Sequence, residues 1–143
     1  MRFLPAFLVT LALALPAAAM PATQAPVTVY KSPTCGCCGG WADALREKGY
    51  TVVEKAVEDL SPVKRHFKVP DDMQSCHTAL IDGYVVEGHV PLEAVEKLLA
   101  ERPKVRGISL PGMPIGTPGM PGPKTETWTV YTLEDKPRVF WEK

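Results

Sequence analysis

The residues best suited to chemistry here are soft donors. Cys35, Cys37 and Cys38 stand within four positions of "YKSPTCGCCGGW", and the fourth cysteine, Cys76, is followed directly by His77. A redox dithiol needs two sulfurs, and Cys35 and Cys38 have the C-x-x-C spacing for one. Cys37 is left over. It adjoins Cys38, and the trans peptide between neighbours resists the geometry of a disulfide. Three thiolates crowded at one point repel each other as free anions, and a cation relieves them. Soft thiolates suit Cu(I) and also Zn(II). The third sulfur makes more sense as a ligand than as a redox partner. Gly36, Gly39 and Gly40 leave the backbone free to turn several sulfurs toward one point.

Other soft or borderline donors stand further along. His77 and His89 offer imidazole nitrogens, which suit Cu(II) as well. Met113 and Met120 lie in "PGMPIGTPGM", where an exposed glycine-rich loop gives thioethers little to pack against; such a loop could fold over the cysteines as a lid. His66 reads as an ordinary helix residue and Met73 as a packing residue. His89 has a bland alternative as the cap of the helix that follows it.

These donors matter only if the fold gathers them. "VTVY", Val27 to Tyr30, reads as a strand closed by Ser32-Pro33. Trp41, Ala44 and Leu45 recur at helical spacing up to a stop at Gly49. Tyr50 to Val57 reads as a second strand. Ser61-Pro62 starts a short helix, with serine as cap and proline at the first position. Asp82-Gly83 between "TALI" and "YVVE" is a strong hairpin signal. Leu92, Val95, Leu98 and Leu99 mark an amphipathic helix ending near Arg102-Pro103.

The order is β-α-β-α-β-β-α, an α/β domain with thioredoxin-like element order. Its first two strands should be parallel with a right-handed crossover. It differs from the β-α-β-β-α-β order of ferredoxin-like metal chaperones. In a thioredoxin-like domain the C-x-x-C motif opens the first helix, where unpaired N–H groups and the helix dipole favour thiolate. The loop entering the third strand lies against that motif and usually carries a cis-proline; here Cys76 and His77 stand in its place. His89, after the fourth strand, comes within reach of the same site.

The chain divides into a signal peptide over 1–19, a flexible leader over 20–26, a thioredoxin-like domain over 27–106, a Pro/Gly/Met-rich loop over 107–124 without regular structure, and an added β-hairpin over 125–143. The signal rests on Arg2, the apolar run Phe3 to Leu15, and small residues at Ala17 and Ala19. The apolar run is too short for a hydrocarbon layer of roughly 30 Å, so no membrane association is expected after cleavage. Met20 rather than cysteine follows the cleavage point, which argues against a lipoprotein. Acidic and basic residues balance, 16 against 16, and no basic stripe stands out, so nucleic acid and acidic membranes are poor partners.

Other readings of the cysteines stay open: two structural disulfides, a structural zinc site, or a metal-independent thiol–disulfide oxidoreductase in which Cys35 attacks and Cys38 resolves. Copper handling itself divides into storage, transfer to a partner, and redox turnover.

The segments "YKSPTCGCCGGW", "SCHTALIDGYVVEGHVP", "LLAERP" and "LPGMPIGTPGM" together closely resemble the CopG-like copper-resistance proteins, small exported proteins of thioredoxin-like fold. The resemblance runs from about Val27 to Met120. It implies a periplasmic protein that binds Cu(I), as one or several ions, with cycling to Cu(II) as an added capacity. It maps the C-x-C-C motif onto Cys35, Cys37 and Cys38, the C-H pair onto Cys76 and His77, G-H-V-P onto His89, and the methionine loop onto Met113 and Met120. Copper ions, and a periplasmic copper-handling protein, are the partners it implies.

Overall fold

In the computed structural model, which describes residues 26–143, a seven-stranded sheet carries three helices. The expected signal peptide and all but the last residue of the leader lie outside the described residues.

Strand β1, Val27–Lys31, buries Val27 and Val29 on one face and runs into the cysteine turn. Helix α1, Gly36–Glu47, buries Cys38, Trp41, Ala42 and Leu45, the stripe that a 3.6-residue repeat places on one side. Gly49, with φ +91°, reverses the chain where a side chain would be strained. Strand β2, Val52–Ala56, then pairs parallel to β1.

Helix α2, Ser61–His66, differs in detail from the expected cap. Leu60 is the N-cap and makes no side-chain cap bond. The Asp59 carboxylate accepts the Ser61 N–H at 2.8 Å, so capping comes from two residues upstream. Strands β3, Thr78–Ile81, and β4, Tyr84–Glu87, form the hairpin at Asp82-Gly83. Both turn residues have positive φ, 47° and 85°, as a tight two-residue loop requires. Helix α3, Leu92–Glu101, buries Ala94, Val95 and Leu98.

The Pro/Gly-rich segment departs from expectation at its start. Gly107–Ser109 form strand β5, parallel to β4, where irregular backbone was expected. Two causes favour pairing. Ile108 and Leu110 are buried, and a Cβ at position 107 would collide with the Val85 carbonyl, so glycine permits the close approach. Strand β6, Thr129–Thr132, pairs with β5, and β7, Val139–Glu142, pairs with β6. The terminal hairpin thus continues the sheet, whose order is β2-β1-β3-β4-β5-β6-β7.

The main core gathers Val27, Val29, Trp41, Leu45, Ile81, Val86, Leu98 and Ile108. Leu80 and Val85, the neighbours of Ile81 and Val86, pack instead with Val69, Phe67, Met73 and Leu133. Alternate residues of the β3–β4 hairpin therefore meet apolar partners on opposite faces, which explains why "YVVE" is buried throughout. No helix among the described residues is long and apolar enough to cross a membrane.

Candidate metal centre

The convergence of donors follows from strand register. Strand β3 pairs antiparallel with β1, Tyr30 opposite Thr78, so the turn before β3 sits beside the start of α1. Strand β4 pairs with β3, Thr78 opposite Glu87, so the exit of β4 arrives at the same place. The Gly88 N–H donates to the His77 carbonyl at 3.0 Å and fixes that arrival.

The ligand atoms of Cys35, Cys37, Cys38 and Cys76 lie within 4.8 Å of one another. A second group, Cys38, Cys76, His77 and His89, meets the same limit and shares two members with the first. Cys35 is the N-cap of α1, and its sulfur accepts the Cys38 N–H at 3.3 Å. Cys35 and Cys38 are joined as a disulfide, while Cys37 and Cys76 are free. Cys37 Sγ lies 3.5 Å from Cys35 Sγ. Only the reduced site therefore offers four thiols; the oxidised one offers two thiols and two imidazoles.

Both histidines are fully buried. His89 does not cap the following helix, whose N-cap is Pro91. Its Nδ1 instead lies 2.7 Å from the Pro118 carbonyl, an oxygen that can only accept, so the proton resides on Nδ1. That leaves the Nε2 lone pair directed at Cys76 Sγ, 2.9 Å away. His77 Nδ1 lies 3.3 Å from the same sulfur, and its Nε2 is buried without a hydrogen-bond partner. The His77 ring packs between Trp41 and His89, with centroids at 4.8 and 5.0 Å. Trp41 is itself held by its indole N–H on the Val90 carbonyl, at 2.9 Å.

Burial dominates the electrostatics. It pushes the Cys76 thiol up to about 11, with the neighbouring Cys37 adding to the effect. It pushes His77 down to about 3, helped by the positive charge on Lys64 and Lys31 and by His89. His89 is lowered for the same reason, partly offset by its bond to Pro118. The metal-free centre therefore holds neutral imidazoles beside a neutral thiol. A cation would take the place of the thiol proton.

The methionine loop reaches the centre through its backbone. Pro118 supplies the carbonyl that orients His89, and Gly119 packs so tightly on α1 that a Cβ there would collide with the Cys37 carbonyl and the Trp41 nitrogen. Internal bonds, Met120 N–H to Thr117 carbonyl at 2.8 Å and Gly116 N–H to Met120 carbonyl at 2.9 Å, hold the loop in shape. Met113 is 52 % exposed and Met120 partly buried. His66 packs edge-on against Phe67, and Met73 joins the smaller apolar cluster.

Sequence reasoning missed a buried polar network next to the centre. Glu87 is fully buried, and Lys64 reaches it from α2 as an ion pair. Thr78 Oγ1 donates to Glu87 Oε2 at 2.6 Å, and the Ser75 N–H donates to Oε1 at 2.8 Å. Burial raises the Glu87 carboxyl above its usual range, against the pull of Lys64 and of these bonds. The one sequence signal was a glutamate ending an otherwise apolar strand; its partners became visible only with the hairpin register.

Comparison with solved structures places this architecture. Copper resistance protein CopG, form 2, superimposes with a TM-score of 0.78 at 38% identity, covering 84% of this chain and 98% of the CopG chain. The chain belongs to the CopG copper-resistance family. Form 1 of CopG gives a TM-score of 0.77 at 37% identity with the same coverage of both chains. A family described as a protein of unknown function, DUF411, matches residues 73–120. That span holds Cys76, His77, His89 and both loop methionines but not the C-x-C-C motif. No curated protein sequence matches the chain. Membership in the CopG family agrees with the resemblance read from the four sequence segments.

Proposed function

We propose that the protein is a periplasmic copper-binding protein that contributes to copper tolerance by capturing Cu(I). In this reading the ligands are thiolates of Cys35, Cys37, Cys38 and Cys76 with the imidazoles of His77 and His89. Met113 and Met120 are thioether donors on the loop that flanks the site. The observation that carries the proposal is the grouping of Cys76 and the two histidines with the C-x-C-C sulfurs, each donor set spanning no more than 4.8 Å. The donor chemistry fits: crowded thiolates favour Cu(I), and imidazoles tolerate Cu(II). Family membership supports copper over zinc. The parallel β1–β2 pair with its intervening helix, the β3–β4 hairpin and the closing α3 support a thioredoxin-like core. The N-terminal charge and apolar run support export through a cleaved signal over 1–19, and the fully reduced site would exchange copper with a periplasmic partner.

The test is Cu(I) titration of the reduced protein against a chelator of known affinity. At least one tightly held ion per chain is expected, with a marked loss in Cys37→Ser. Substoichiometric uptake, or a Cys37→Ser protein that binds like the natural one, rejects the proposal.

One observation favours a second capacity. The Cys35–Cys38 disulfide joins a buried sulfur to a more exposed one at a helix start, the arrangement of a redox dithiol. Oxidation of that dithiol releases two electrons and two protons, enough to reduce two Cu(II) to Cu(I). A metal-independent thiol–disulfide oxidoreductase would instead reduce protein disulfides after metal removal and in Cys37→Ser; loss of activity in either condition separates the two.

A further inference from the structure

The two residues of the Cys76–His77 turn lie outside regular structure, so something must hold them. Glu87 grips both flanks. Its Oε1 accepts the backbone N–H of Ser75, at 2.8 Å, just before the pair. Its Oε2 accepts the hydroxyl of Thr78, at 2.6 Å, just after it. Lys64 lies on Oε1 and also reaches the Thr78 hydroxyl at 3.3 Å, so a cation faces the carboxyl group in its fully buried place. Ser75 extends the grip by donating its hydroxyl to the Gly112 carbonyl in the methionine loop. Glu87 itself ends β4, one residue before the Gly88 N–H that binds the His77 carbonyl.

We propose that Glu87 is a positioning residue for the copper centre: one buried carboxylate, held by Lys64, staples the two ends of the Cys76–His77 turn so that its sulfur and imidazole face the C-x-C-C trio. The inference rests on the reading of Cys76 and His77 as ligands. A buried ion pair alone is weak support for stability, since apolar replacement is often neutral. Here its hydrogen bonds end on the flanks of the donor pair, which gives it a task that packing would not need. Outer partners of metal ligands typically change affinity about 10–100-fold when lost.

The test compares two double variants that both remove the buried charges. In Glu87→Gln with Lys64→Met, the amide oxygen can still accept the Ser75 N–H, and its NH₂ can donate to Thr78, so both links are rebuilt. In Glu87→Ala with Lys64→Met neither can form. Cu(I) titration of the reduced proteins against a competing chelator, with X-ray absorption of the loaded proteins, reads the result. The alanine pair should bind about 10–100-fold more weakly and lose nitrogen scattering, while the glutamine pair stays close to the natural chain. Thr78→Val, which removes one link at constant volume, should show a smaller loss in the same direction even if the alanine pair fails to fold. Equal binding by all variants, or equal loss by both pairs, overturns the proposal. Cys76→Ser runs alongside. If it binds like the natural chain, the ligand reading fails and the staple with it. If it weakens binding while the alanine pair and Thr78→Val do not, only the staple is wrong.

Discussion

At the scale of single residues, the centre is governed by desolvation. Cys76 is kept protonated and the two histidines neutral chiefly because burial leaves little water to solvate a charge there, with nearby Lys64 and Lys31 further opposing a cationic His77. This has a consequence for the metal-free protein. An unfolded histidine takes up its proton near pH 6.5, whereas folded His77 does so only near 3. Between those values the unfolded chain binds more protons than the folded one, so the stability gained from a neutral His77 is complete above about pH 6.5 and is lost as acid is added toward pH 3. Urea midpoints of metal-free protein should therefore fall between pH 7.5 and 5, and His77→Phe should flatten that fall. A midpoint insensitive to pH in the natural chain would show that the ring is hydrated. The residue-level chemistry was largely legible beforehand. Cysteine spacing pointed to the dithiol and to the surplus sulfur, because both arguments need only local geometry.

At the scale of elements, close contacts decide more than propensity. The loop bearing Pro118 and Gly119 has no regular structure, yet Gly119 lies against the first turn of α1 with φ +81°. Gly119→Ala should cost about 1–3 kcal/mol in thermal unfolding, since overpacking at a site that cannot relax is of that size. It should also move Pro118 off His89. Gly112→Ala makes the comparison, because its φ is +74° but nothing lies within 4 Å of the new Cβ. It should cost less; equal losses would mean that strain alone, rather than the contact, matters. Helix α2 is tied to β4 through Lys64. Lys64→Met by itself leaves the buried Glu87 carboxylate unpaired and should destabilise by about 3–5 kcal/mol, a loss largely recovered by adding Glu87→Gln. The helix starts, the Asp82-Gly83 hairpin and the apolar face of α3 could be read from the chain because each is a local signal. Strand β5 could not. Gly107 breaks a strand pattern on paper, and its value is the space it leaves for the Val85 carbonyl across the sheet.

At the scale of the whole molecule, the C-terminal hairpin is part of the domain. Trp128, Val130 and Leu133 are buried, and β6 covers the edge of β5. Removing residues 125–143 should abolish cooperative unfolding or cause aggregation through the uncovered edge; a truncated chain with the full melting temperature would make the hairpin dispensable. The centre lies where strands β1, β3 and β4 bring the start of α1 and two turns together, and there the limits of sequence reasoning show. The chain by itself named the candidate donors, the Cys35–Cys38 pair and the order of the elements up to α3, since spacing and periodicity are local properties. Which donors meet, that Pro118 sets the tautomer of His89 and that Glu87 spans the Cys76–His77 turn were decided only by the tertiary structure. Those contacts reach as far as 51 positions along the chain, from Cys38 to His89, through strand register and buried hydrogen bonds, and neither is written in any short stretch of sequence.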